Sequence, residues 1–248
     1  MTTNTPANIH HSTDPKKYIS DYWRDRADSF AKLREEELSS EKYRLWQQEI
    51  STHLPSGKSL RILDIGCGAG FFSILLAQMG HTVRGIDITP AMITDAKKLG
   101  EAYKCSISFE VMDAEQLTFA DASFDVVIAR NVTWNLPNPQ LAYSEWLRVL
   151  RPCGLLMNYD AEYARDHHRP LPVRNAHAGV SDELLERCHN IYHMLDISVC
   201  DRPAWDETAL LNAGARSVSI DKSVSSRIYP HEDDFYIPAP MFGIFATK

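Results

Sequence analysis

This chain of 248 residues has no apolar run near the roughly eighteen residues that a membrane-spanning helix needs, and no membrane association is expected. Its five cysteines are an odd number without a C-x-x-C pair, which argues against a disulfide framework and suits reduced thiols in the cytoplasm. Basic residues are in deficit, 26 Lys and Arg against 33 Asp and Glu, for a net charge of -7. That balance disfavours a nucleic-acid substrate, which demands a basic face, and leaves a small molecule as the expected one. Residues 1–13 carry neither the apolar core of a secretory signal nor an arginine-rich amphipathic pattern, and a mobile tail is expected there. No repeat or low-complexity tract follows. Residues 14–248 are long enough for one substantial core with additions.

What is present is concentrated in the run Leu63-Asp64-Ile65-Gly66-Cys67-Gly68-Ala69-Gly70. Residues 60–65 read as a buried strand that stops on three glycines at alternate positions. A helical stretch follows at once, with Phe72, Leu75, Leu76 and Met79 at spacings of three and four. A strand, a glycine turn and a helix form the usual cradle for a nucleotide-like ligand in an α/β sheet. The glycines let the backbone approach, and the helix start offers free N–H groups. The dinucleotide spacing G-x-G-x-x-G would need glycine at position 71, where Phe71 stands. Asp64, two residues before the first glycine, would repel a pyrophosphate and suits a ligand carrying positive charge.

The pattern D-x-G-x-G-x-G resembles the first motif of class I S-adenosylmethionine-dependent methyltransferases, and the likeness runs over residues 58–160. Residues 82–87 read as a second strand ending in Asp87, where a carboxylate can take both ribose hydroxyls. Thr89-Pro90 opens the next helix. A third strand, 106–112, runs into Asp113-Ala114-Glu115, and the resemblance implies that Asp113 binds the adenine amino group. Residues 124–130 are the fourth strand, Asn138-Pro139 opens a helix, and Arg151-Pro152-Cys153-Gly154 turns into a fifth strand at 155–159. Cys153 stands where the family commonly has a second glycine. The resemblance implies a Rossmann-like α/β fold, a seven-stranded, mostly parallel sheet with helices on both faces. It also implies S-adenosylmethionine as cofactor, held by Asp64, Gly66, Cys67, Gly68, Gly70, Asp87 and Asp113, with Ile88, Met92, Ala114, Glu115, Arg130 and Asn131 beside them. The fourth-strand tip reads Asn131-Val132-Thr133-Trp134 rather than the Asn-Pro-Pro-aromatic sequence of methyltransferases acting on adenine or glutamine amides. That again points to a small acceptor.

Two helices are expected ahead of the first strand, at about 14–33 and 40–52, forming a cover over residues 14–55. Ile19, Trp23, Ala27 and Phe30 share one side of the first, beside Tyr18 and Tyr22. Residues 160–203 interrupt the alternation of strand and helix with a polar, His-rich loop and a helix capped by Ser181, as lids and binding loops do. A helix near 205–213 and two strands, 217–220 and 242–247, complete the pattern.

Methyl transfer from a sulfonium needs alignment, exclusion of water and a deprotonated nucleophile, so no universal catalytic residue is expected. Candidates for a base are Asp160, His167 and His168. Candidates for acceptor contacts are Tyr18, Tyr22, Trp23, Trp134, Tyr159 and Tyr163, around the ends of strands four and five and the first helix. His189 and His193, with Glu186 a turn earlier, have metal-ligand spacing, but no further ligand stands at a fixed distance, and no metal is expected. The expected protein is a methyltransferase, monomeric or homodimeric, acting at N, O or S. The alternatives are a non-catalytic S-adenosylmethionine-binding sensor or partner subunit, and a nicotinamide-dependent oxidoreductase, which the misplaced third glycine and Asp64 disfavour.

Overall fold

The computed structural model describes residues 14–166 and 170–248; the tail 1–13 and the candidates His167 and His168 lie outside the described residues. Seven strands form one sheet: β1 (Arg61–Ile65), β2 (Thr82–Asp87), β3 (Ser108–Val111), β4 (Phe124–Arg130), β5 (Leu150–Ala161), β6 (Ser217–Asp221) and β7 (Met241–Thr247). Their order is β3-β2-β1-β4-β5-β7-β6. Neighbours are parallel except β7, which runs antiparallel to both β5 and β6. The chain leaves β1 toward one edge and returns to start β4 on its other side. A crevice therefore opens at the carboxyl ends of β1 and β4, where such sheets receive ligands.

Helices cover both faces: α1 (Pro15–Leu38), α2 (Glu41–Ser51), α3 (Phe71–Gln78), α4 (Pro90–Ala102), α5 (Pro139–Val149), α6 (Tyr163–Asp166), α7 (Asp182–Met194), α8 (Ala204–Asn212) and α9 (Val224–Ile228). The period of two along β4 divides the core. Val127 and Ala129 pack with Trp146, Tyr143 and Leu210, whereas Val126 and Ile128 pack with Trp46, Phe72 and Leu75. Burial of the central strands on both faces is why they read as unbroken apolar runs.

The N-terminal helices start on side-chain caps. Asp14 accepts from Lys16 N at 3.0 Å and Ser40 from Lys42 N at 3.1 Å, each worth about 1 kcal/mol. A third apolar cluster joins α1 to α7 through Tyr18, Ile19, Tyr22, Cys188 and Ile191. Thus part of the 160–203 segment leans on the first helix beside the crevice. Among the described residues no helix is long and apolar enough to cross a membrane.

Three features differ from the sequence reading. Helix α1 runs past the expected end at 33 to Leu38, because Glu37 and Leu38 are buried and their tertiary contacts hold the last turn. Strand β5 begins at Leu150, so the expected turn at 151–154 lies inside the strand as an irregularity in the β4 register. Cys153 there has φ of 61°, the left-handed region that explains the glycine common in the family. Helix α9 falls in the connection before β7; it is only five residues long, and its Val224 and Ile228 are fully buried. Packing rather than local propensity makes it a helix.

Candidate active site

Strand β1 ends at Ile65, and Gly66, Gly68 and Gly70 follow with φ of 59°, 52° and 88°. All three are left-handed, so the turn can be built only where a Cβ is absent or strained. A Cβ on Gly68 would lie 3.0 Å from the Phe30 ring of α1. Gly70 stands just before α3 as its N-cap.

At the tip of β2, Asp87 ties this turn to the next. Its Oδ2 accepts from Gly68 N at 3.0 Å and its Oδ1 from Thr89 N at 2.8 Å. One bond per oxygen leaves acceptor capacity on both, and burial pushes the carboxyl above its ordinary range despite these bonds. Asp64, on β1 beneath the turn, is 2 % exposed and accepts from Ser73 Oγ at 2.6 Å. Burial pushes it up to about 7, against the Ser73 bond and the Arg130 charge.

After β3, Asp113 Oδ1 takes Glu115 N at 2.9 Å. Lys16 of α1 reaches over to place Nζ 2.6 Å from both Asp113 Oδ2 and Glu115 Oε2. Glu115 is buried and also accepts from Asn138 N at 2.6 Å, so it anchors the start of α5.

At the tip of β4, Arg130 donates to both oxygens of Glu37 and lies over the rings of Phe71 and Phe72, 4.6 and 4.8 Å from their centroids. Arg34 pairs with the same Glu37 at 2.6 Å and lies over Phe30. Two guanidiniums thus share one carboxylate at this end. Asn131 takes φ of 60°, and its Oδ1 accepts from Tyr163 Oη at 2.7 Å.

These groups line one cleft. Of the residues singled out in the sequence for the cofactor, Asp64, Gly66, Cys67, Gly68, Asp87, Ile88, Met92, Asp113, Ala114, Glu115, Arg130 and Asn131 are all on its wall. Gly70 is not; it serves the helix start. Of the acceptor candidates only Trp23 is on the wall. Tyr18 and Tyr22 turn toward α7, and Tyr159 is buried between Trp46 and Phe245. Trp134 sits among Trp23, Tyr163 and Tyr192. Asp160 is fully buried and its oxygens are engaged by Trp134 N at 3.0 Å, Ala161 N at 2.9 Å and Arg202 at 3.0 Å. Sequence reasoning missed Lys16, Arg34, Phe71 and Phe72 as cleft residues. The spacing 16, 19, 23, 30 and 34 on α1 is the signal that could have found the first two.

Residues 63–158 match the methyltransferase domain family. The 2-methyl-6-phytyl-1,4-hydroquinone methyltransferase of Synechocystis sp. is 37% identical over 119 residues, 48% of this chain and 36% of that protein. The ubiquinone biosynthesis O-methyltransferase of Agrobacterium fabrum is 36% identical over 99 residues, 40% of each chain. Each match spans less than half of the relative's length. Among solved structures, a SAM dependent methyltransferase from Aquifex aeolicus superposes with a TM-score of 0.58 at 15% identity, covering 95% of this chain and 99% of that one; this likeness concerns the fold. The glycine turn, the two strand-tip acids and the β3-β2-β1-β4-β5-β7-β6 sheet, together with these matches, show that the chain carries a class I S-adenosylmethionine-dependent methyltransferase domain built around residues 63–158.

Proposed function

We propose that this protein transfers the methyl group of S-adenosylmethionine to N, O or S of a small molecule by in-line displacement, with release of S-adenosylhomocysteine. The observation that carries the proposal is the convergence of Asp64, the Gly66–Gly68 turn, Asp87 and Asp113 on one cleft. Their chemistry fits the cofactor group by group. Asp87, with a spare lone pair on each oxygen, takes the two ribose hydroxyls. Gly68 lets the backbone approach, since a Cβ there would fill the cradle beside Phe30. Asp113 accepts from the adenine amino group. Asp64 faces an ammonium, which is the partner that a carboxyl pushed up to about 7 by burial gains most from. Arg34 and Arg130, sharing Glu37, offer donors to a carboxylate.

When bound, the cofactor supplies a methyl on a sulfonium whose leaving group is a neutral thioether. The chain has then to align and to exclude water. Trp23, Phe30, Phe71 and Phe72 make an apolar wall at the end of the cleft beyond the glycine turn. No histidine is on the cleft wall among the described residues, and Asp160 is engaged by its own neighbours. Small size of the acceptor is supported by the net charge of -7 and by the small molecules that the relatives' names specify. The test is to incubate the protein with methyl-labelled S-adenosylmethionine and small-molecule extracts. Label in a low-molecular-mass product is expected. Cofactor binding without any labelled product across the extracts would favour the sensor or partner-subunit alternative.

A further inference from the structure

Arg26 of α1 is 4 % exposed, yet among the described residues nothing accepts a hydrogen bond from its guanidinium and no carboxylate pairs with it; its Nε is buried without a partner. The other buried arginines are treated differently. Arg34 has Glu37, and Arg202 has Asp160 and Asp206. The nearest acid in sequence, Asp25, is already held by Arg24 and Arg187.

Three of the groups near Arg26 are neutral at pH 7. Its charge acts on Tyr22, Cys188 and His177. His177 has a buried Nδ1 without a partner, and burial, with the charges of Arg26 and His189, pushes the ring down to about 4, so it is uncharged at neutral pH. A buried cation without a counter-ion is costly, and one left among neutral groups lacks only an anion to complete it. Neither Arg26 nor His177 is on the cleft wall, but Arg26 adjoins it. Arg26 follows Trp23 by three residues and precedes Phe30 by four, so it shares a helix side with two residues of the cleft wall. His177 belongs to the 160–203 segment, and its buried Nδ1 is the second unpartnered group within reach of the Arg26 charge.

We infer that Arg26 and His177 form a subsite for an oxyanion, a carboxylate or phosphate carried by the methyl acceptor, next to the aromatic end of the cleft. The guanidinium takes two oxygens side by side, and the imidazole N–H donates to the group as well. The site would anchor one end of the acceptor while its nucleophile enters past Trp23 and Phe30. Acceptors without an anionic group would leave Arg26 uncompensated and would be discriminated against. The acceptor's identity rests on the methyltransferase reading; the anion site itself does not.

The experiment uses the full chain with inorganic phosphate and with acetate, at ionic strength held constant by chloride. Thermal unfolding and calorimetry are followed for the wild type, Arg26→Met and His177→Ala, with S-adenosylhomocysteine binding as the check that each variant is folded. The wild type is expected to gain Tm with at least one of the two anions in a saturable manner. Arg26→Met is expected to have a higher Tm than the wild type without anion, and to bind the anion at least about tenfold more weakly. His177→Ala should weaken the anion by a smaller factor. No anion response in the wild type, or an equal response in Arg26→Met, overturns the inference, as does an Arg26→Met chain that is less stable without anion. Failure of the wild type to bind S-adenosylhomocysteine would overturn the methyltransferase reading instead and leave the anion result standing.

Discussion

Glu37, in the last turn of α1, accepts both terminal nitrogens of Arg130 at the tip of β4, at 2.9 and 3.1 Å. It also pairs with Arg34 at 2.6 Å and is fully buried. This one carboxylate therefore locks the N-terminal cover to the sheet and sets the charge at one end of the cleft. Glu37→Gln leaves two buried guanidiniums short of an anion and should cost about 3–5 kcal/mol in denaturant unfolding. Burial opposes its charge, but Arg130 and Arg34 prevail and hold Glu37 below the ordinary carboxylate range. Its contribution is then full above the unfolded pKa of about 4.3 and lost as pH falls through the lower folded value. A Glu37→Gln chain as stable as the wild type at pH 7 would remove this link.

Asp64 has the opposite sign. Its folded pKa, about 7, stands above the unfolded value of about 3.9, so the native state holds the extra proton between them. Stability should fall as pH rises from about 4 to 7 and then level. Affinity for S-adenosylhomocysteine, whose ammonium favours the ionised carboxylate, should rise over the upper part of that range, with proton release on binding. Asp64→Asn should flatten the affinity profile and weaken binding at pH 8. Calorimetry in two buffers of different ionisation enthalpy measures the proton; wild-type affinity independent of pH would contradict this role.

Gly68→Val places a β-branched side chain at φ of 52°, with its Cβ 3.0 Å from the Phe30 ring. Loss of cofactor binding with the circular dichroism spectrum retained is the expected result. Retained binding would assign the glycine turn another purpose.

The cover and the 160–203 segment are expected to act together, since α1 packs on α7 through Tyr22 and Ile191 and presents Trp23 and Phe30 to the cleft. Hydrogen exchange should slow in both when S-adenosylhomocysteine is added. Protection confined to the glycine turn and strand tips would end the idea of a shared lid.

The sheet and the cofactor wall are legible in the sequence because β1 and β4 are largely apolar runs, and β1, β2 and β3 lead into Gly66, Asp87 and Asp113, a local signal. The acceptor end is not. Lys16 and Arg34 are charged and carry no apolar signal; Lys16 is drawn to the cleft by Asp113 and Glu115, far away in sequence, and Arg34 by the buried Glu37. Tyr159 stands at the carboxyl end of the expected fifth strand and so invites a place in the cleft. The period of two along the strand instead sends it to the α2 side, against Trp46, while Asp160 turns to Arg202 on the other. Asp160 looks catalytic by position and proves engaged only when its partners, distant in sequence, are known.

The cleft between the β1 turn and the β2 tip is proposed to hold S-adenosylmethionine, with Asp87 on the ribose. Calorimetric titration of the wild type and Asp87→Ala with S-adenosylhomocysteine tests it most directly. One site per chain is expected in the wild type, with binding weaker by about 2–3 kcal/mol in a folded Asp87→Ala chain. Equal affinity in the two proteins, or no binding in the wild type, would contradict it.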